Sequence, residues 1–118
     1  MQIKWIPVSS IQEIEQIKQH SRQTPCLIFK HSESCNISAI ARYRLEDDWC
    51  FEETHLPAYF LDLLRYRDVS AYIADTFQVH HESPQILLIV DGECIFDASH
   101  LDITMQEIKE ALPGVSAQ

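Results

Sequence analysis

Two glycines, Gly92 and Gly114, are all that this 118-residue chain contains. A phosphate-cradling loop needs several closely spaced residues without a Cβ, so Walker-type and Rossmann-type nucleotide sites are not expected. Basic residues are also scarce. Nine Lys and Arg face eighteen Asp and Glu, for a net charge of −9. That is the wrong sign for a field that attracts a phosphate backbone, and no nucleic acid partner is expected. The longest apolar run, Ile86 to Val90, falls far short of the about 20 residues a helix needs to span a bilayer. The first residues, Met1 to Pro7, hold one lysine and neither an apolar stretch nor a small-residue cleavage site, so no secretory signal is read. These absences predict a cytoplasmic protein without a membrane partner, whose thiols stay reduced.

A fourth absence is more specific. Of the four cysteines, Cys26, Cys35, Cys50 and Cys94, none stands three positions from another. The missing C-x-x-C excludes zinc ribbons, haem attachment and the dithiol redox motif together. What is present is ordinary for a globular protein: 46% hydrophobic and 23% charged residues, enough to bury a core without staples. The length predicts one domain over residues 1–118.

Along the chain, Lys4 to Val8 reads as a short edge strand. Ser10 to Glu13 forms a capping box, and Ile11, Ile14 and Ile17 follow at helical spacing, predicting a helix from Ile11 to His20. Pro25 to Lys30 is a continuous apolar run of the kind buried on both faces of a sheet. Ile37, Ile40, Ala41 and Leu45 then predict a second helix with Cys35 at or just inside its start. Pro57 to Leu64 reads as another buried strand, followed by a helix capped by Asp68 and burying Val69, Ile73 and Phe77. Gln85 to Val90 and Glu93 to Asp97 flank Asp91-Gly92, a strong hairpin signal. Thr104 to Glu107 opens a last helix carrying Ile108 and Leu112, with Gly114 as its stop. The order is β-α-β-α-β-α-β-β-α, an α/β fold with a central mixed sheet, helices on both faces and one right-handed parallel crossover.

A cysteine opening the helix after the first central strand, with Ser83-Pro84 just before the hairpin, resembles the layout of the thioredoxin fold. More narrowly, Phe29-Lys30-His31-Ser32, Ser34-Cys35-Asn36-Ile37-Ser38, Tyr59 to Leu64, Tyr66-Arg67, Val69-Ser70 and His81 to Gln85 resemble the YtxJ-type monothiol bacilliredoxins. The similarity runs from about Trp5 to Leu112. It implies a thioredoxin-like fold with a cis-proline before the C-terminal hairpin, and an enzyme that removes bacillithiol from mixed disulfides on cytosolic proteins. Bacillithiol would be a thiol co-substrate, with no tightly bound cofactor. The family motif is commonly Thr-x-Cys-Pro-Ile-Ser, whereas Asn36 stands here in place of the proline and restores a backbone N–H.

A helix N-terminus stabilises a thiolate through its unpaired N–H groups and the positive end of the dipole, and Cys35 is the cysteine with that setting. Ser38 is expected to donate its hydroxyl to the Cys35 sulfur in place of a resolving thiol. Glu33 opposes the anion, while His31 and Lys30 offset Glu33 if they turn inward. A helix reaching Asp47 carries the chain roughly 18 Å from Cys35, and an extended run from Cys26 spans close to about 30 Å, both beyond disulfide reach. Cys26, Cys50 and Cys94 are therefore expected to be small buried hydrophobes.

In the implied layout the backbone of Ser83 before Pro84 faces the nucleophile and hydrogen-bonds a substrate like an added strand. Arg65 and Arg67 follow a strand parallel to the first and reach the same sheet edge as Cys35, where guanidinium groups could hold the two carboxylates of the malate moiety of bacillithiol. The expected substrate-binding set is Ser83, Pro84, His31, Asn36, Arg65 and Arg67. His80, His81 and Glu82, or His31 with Cys35, fit no standard zinc spacing, and no metal is expected. Two other readings remain open: a peptide-binding module without efficient catalysis, and a monothiol enzyme serving another small thiol such as glutathione.

Overall fold

The computed structural model describes residues 2–114; the expected domain limits at Met1 and Gln118 lie outside them. Five strands form one sheet in the order β1-β3-β2-β4-β5, comprising β1 (Trp5–Val8), β2 (Cys26–His31), β3 (Ala58–Asp62), β4 (Gln85–Val90) and β5 (Glu93–Ser99). Strands β1 and β2 both run parallel to β3, while β4 is antiparallel to β2 and to β5. Every residue of central β2 is buried, which is why Cys26 to Phe29 read as an unbroken apolar run and not as an alternation.

Because side chains alternate across a strand, the sheet divides the interior into two cores. On one face Leu27 and Phe29 pack against helix α2 (Asn36–Asp48) and helix α4 (Met105–Ala111). On the other, Cys26 and Ile28 pack against helix α1 (Ile11–His20) and helix α3 (Arg67–Phe77). Trp5 belongs to the first core, stacked on Phe29 at a centroid distance of 5.4 Å, and Trp49 is buried in it too.

The end signals hold where they are side-chain caps. The Ser10 hydroxyl accepts from Glu13 N at 3.2 Å, and the Thr104 hydroxyl accepts from Glu107 N at 3.2 Å. The hairpin turn has φ of 53° at Asp91 and 80° at Gly92, the left-handed pair that a two-residue turn between twisted strands requires. Gly92 N donates to the Ser21 hydroxyl at 2.9 Å and Asp91 N to Ser21 O at 2.8 Å, tying the turn to the end of α1.

Three expectations need correction. Asp68 does not cap α3: Tyr66 is the N-cap residue, without a side-chain bond, and Asp68 lies inside the first turn, where its charge suits the dipole. Ile37 and Ile40 do not face the core. The buried face of α2 is Ser38, Ala41 and Leu45, one step round the helix, leaving Ile37 and Ile40 41% and 48% exposed. Finally, a 3-10 turn at His100–Asp102, absent from the sequence reading, links β5 to α4.

Candidate active site

Cys35 is the N-cap residue of α2, extended at φ −112°, ψ 120°, and half-buried. The turn before it is closed by Cys35 N donating to Ser32 O at 3.2 Å. The Ser83–Pro84 peptide bond is cis. Gln85, the next residue, pairs with Lys30 across β2 and β4, so Pro84 lies beside the strand end that leads into the Cys35 turn. Cys35, Asn36, Ser38, His31, Ser83 and Pro84 thus gather at one edge of the sheet.

Ser38 is fully buried, and its hydroxyl serves a different partner from the one expected. It lies 2.6 Å from His31 Nδ1 and accepts from Ser32 N at 3.0 Å. Glu33 Oε1 stands 3.4 Å from His31 Nε2 on the other side of the ring. A carboxylate only accepts, so a neutral His31 carries its proton on Nε2 and takes the Ser38 proton at Nδ1. The hydroxyl is therefore directed at His31 rather than at the Cys35 sulfur. Burial holds His31 below its ordinary pKa; Glu33 opposes the shift and Arg42 adds to it. The ring is also packed against Phe29 and Phe60, at centroid distances of 5.6 and 5.3 Å. Together these contacts brace the 32–35 turn that carries Cys35.

Lys30, one residue earlier, points to the opposite face and is completely buried. Its Nζ lies 3.4 Å from Ser70 O of α3 and 3.2 Å from His81 Nδ1. Burial pushes the ammonium down to about 8 from the ordinary 10.5. His81 is likewise lowered, first by desolvation and then by the Lys30 charge. Beside this cluster a cavity of about 770 Å³ is lined by Leu63, Arg67, Ser70, Val79 and His81, among others. The two expected arginines part company: Arg67 opens α3 and lines the cavity, whereas Arg65 lies over the Tyr66 ring, 5.4 Å from its centroid. Lys30, His81 and Gln85 were not joined into a site by the sequence reading. The signal was a charged residue within an otherwise apolar central strand.

All four cysteines are free. Cys26 is buried and its thiol is pushed up to about 12 by desolvation; Cys94 is pushed up to about 11 for the same first reason. Both flank Ile89 in the sheet register at the end of β2 remote from Cys35. Cys50 departs from expectation, since it is exposed rather than buried. It follows Trp49, the residue that ends α2, and the 13-residue helix separates it from Cys35 by roughly 20 Å, well beyond the about 7 Å limit for a disulfide. Among the described residues no three His, Cys, Asp or Glu side chains are grouped to hold a metal ion, and no helix is long and apolar enough to cross a membrane.

A lone thiol at a helix start, beside a cis-proline on a mixed sheet with helices on both faces, defines the class: a thioredoxin-fold thiol–disulfide oxidoreductase of the monothiol type. A structure provisionally described as an oxidoreductase with a thioredoxin fold is 34% identical, covering 91% of this chain and 92% of its own, with a TM-score of 0.79. The thioredoxin of Malassezia sympodialis is 12% identical over 98% of this chain and 93% of its own, at a TM-score of 0.73. That of Trypanosoma brucei brucei is 12% identical over 100% and 96%, at 0.72; both show the fold alone. The model of the monothiol bacilliredoxin family BrxC matches residues 6–108, and the chain belongs to that family. Membership of that family implies a low-molecular-weight thiol as substrate.

Proposed function

We propose that this protein removes bacillithiol from mixed disulfides on cytosolic proteins, with Cys35 as nucleophile. The Cys35 thiolate attacks the bacillithiol sulfur, a new Cys35–bacillithiol disulfide forms, and the protein sulfur leaves as a thiolate that takes a proton from water. A second bacillithiol, or a reductase, then attacks the adduct and regenerates Cys35, because the distances from Cys26, Cys50 and Cys94 leave no resolving thiol within reach. The observation carrying this reading is the placement of Cys35 on the N-terminus of α2, where unpaired N–H groups favour an anion.

The remaining residues take supporting roles. Ser83 presents its backbone to the substrate next to Pro84, and Asn36 contributes an N–H to the first turn of α2. Ser38 and His31 hold the turn that carries Cys35, and Arg65 and Arg67 supply positive charge for the malate carboxylates of bacillithiol. Both cores share one sheet, which supports reading the chain as a single domain, and four free cysteines suit work in the reducing cytoplasm. The test is to mix reduced protein with a bacillithiolated protein and with its glutathionylated equivalent. Release of the bacillithiolated client thiol by wild type, its loss in Cys35→Ser and slower release from the glutathionylated client are expected. Transfer that persists in Cys35→Ser overturns the mechanism, and a preference for glutathione overturns the choice of thiol.

A further inference from the structure

The cavity between α3 and the segment before Pro84 has a cationic end with no protein counter-ion. Among the described residues neither Lys30 nor Arg67 is paired with a carboxylate, although acids outnumber bases two to one in this chain. Lys30 is fully buried, and its Nζ touches Ser70 and His81, both of which line the cavity. An ammonium has three donors, and two are engaged. Burying an incompletely paired charge is costly, and an incoming anion would relieve that cost.

The charges also give the cavity a direction. Arg67 lies one turn before Ser70 on α3, whereas Asp75 lines the cavity eight residues further on, about 12 Å along the axis. An anionic group is drawn to the first end and repelled from the second. The attractive end is the one tied to the Cys35 turn: Leu63, in the cavity wall, donates its N–H to His31 O at 3.0 Å.

We propose that this cavity binds the carboxylate end of a small organic acid at Arg67, against the Ser70 and His81 wall that covers the buried Lys30 ammonium, with the rest of the molecule lying along Ala71 and Val79. The acid is the thiol co-substrate, so this much rests on the proposed function. Arg67 meets the carboxylate with its planar fork, and Lys30 supplies the buried charge behind it.

Succinate serves as a probe that lacks a thiol. Titrated into the reduced full chain at constant ionic strength, it is expected to shift the amide signals of Ser70, Ala71 and His81. Arg67→Ala and Lys30→Met should each weaken that binding by about tenfold or more. Arg44→Ala, on the other face of the sheet where Arg44 donates to Leu101 O, should leave it unchanged. Absence of shifts around the cavity, or equal binding by wild type and Arg67→Ala, overturns the proposal. Bacillithiol transfer by a protein that does not bind succinate here overturns the cavity assignment and leaves the proposed function standing. Succinate binding in a protein that transfers no bacillithiol supports the cavity and overturns the proposed function.

Discussion

The last two residues of β2 are both buried and polar, but they face opposite sides of the sheet and meet opposite fates. His31, on the α2 side, is enclosed by two aromatic rings and has a partner at each nitrogen, Ser38 at one and Glu33 at the other. Lys30, on the α3 side, has a carbonyl and a histidine nitrogen from two residues that line a cavity, but no carboxylate. A satisfied polar network rigidifies what it touches, whereas an under-satisfied one stores a preference for something still to arrive. On the proposed function, the α2 side holds the turn that carries Cys35 and the α3 side receives a ligand.

Removing His31 breaks the closed side, and the largest stability loss is expected there. His31→Ala empties an aromatic-lined site and strips the buried Ser38 hydroxyl of its partner, so urea denaturation at pH 7.5 should show a loss of about 3 to 4 kcal/mol. A loss below about 1 kcal/mol would mean that the network holds nothing in place.

On the open side the sign reverses. Lys30 titrates near 8 folded against 10.5 unfolded, so below pH 8 the folded state bears the full cost of the buried charge. Between these values the unfolded chain binds the extra proton, and stability rises with pH. Lys30→Met should therefore be the more stable protein at pH 7, by up to about 3 kcal/mol, with the advantage shrinking as pH climbs through that window. Cys26 and Cys94, raised to about 12 and 11, act oppositely in wild type and variant alike, so the difference between the two curves isolates Lys30. An advantage independent of pH would contradict a charged Lys30.

A smaller effect is expected in acid. His31 and His81 both have pKa values lowered by burial, so the unfolded chain takes up protons first as pH falls below about 6.5, and stability drops there. Urea denaturation between pH 7 and 5 should show a smaller loss of stability in Ser70→Ala/His81→Gln than in wild type.

The sequence made the order of strands and helices along the chain, the caps at Ser10 and Thr104 and the Asp91-Gly92 turn legible, because each depends on neighbours within a few residues. The place of Cys35 at the start of α2 was legible for the same reason. The Ser38–His31 bond was not, since it depends on which face of β2 each residue takes and on which side of α2 meets the sheet. Spacing along α2 alone suggested Ser38 for the sulfur and Ile37 and Ile40 for the core. Cys50 misled in a similar way: composition favours burial for a free cysteine, but its place beyond the end of α2 is a surface position. The cavity with Lys30 and Arg67 required β2, α3 and the segment before Pro84 to be brought together, which no local pattern encodes.

Cys35 and Cys50 lie at opposite ends of one helix, the first as its N-cap residue and the second just past its end. Peptide mapping after a single turnover with a bacillithiolated client, without added thiol, separates them cleanly because trypsin cuts at Lys30, Arg42, Arg44 and Arg65. The expected result is one bacillithiol adduct on the fragment from His31 to Arg42, which contains Cys35. An adduct confined to the fragment from Leu45 to Arg65, which contains Cys50, would contradict Cys35 as the nucleophile.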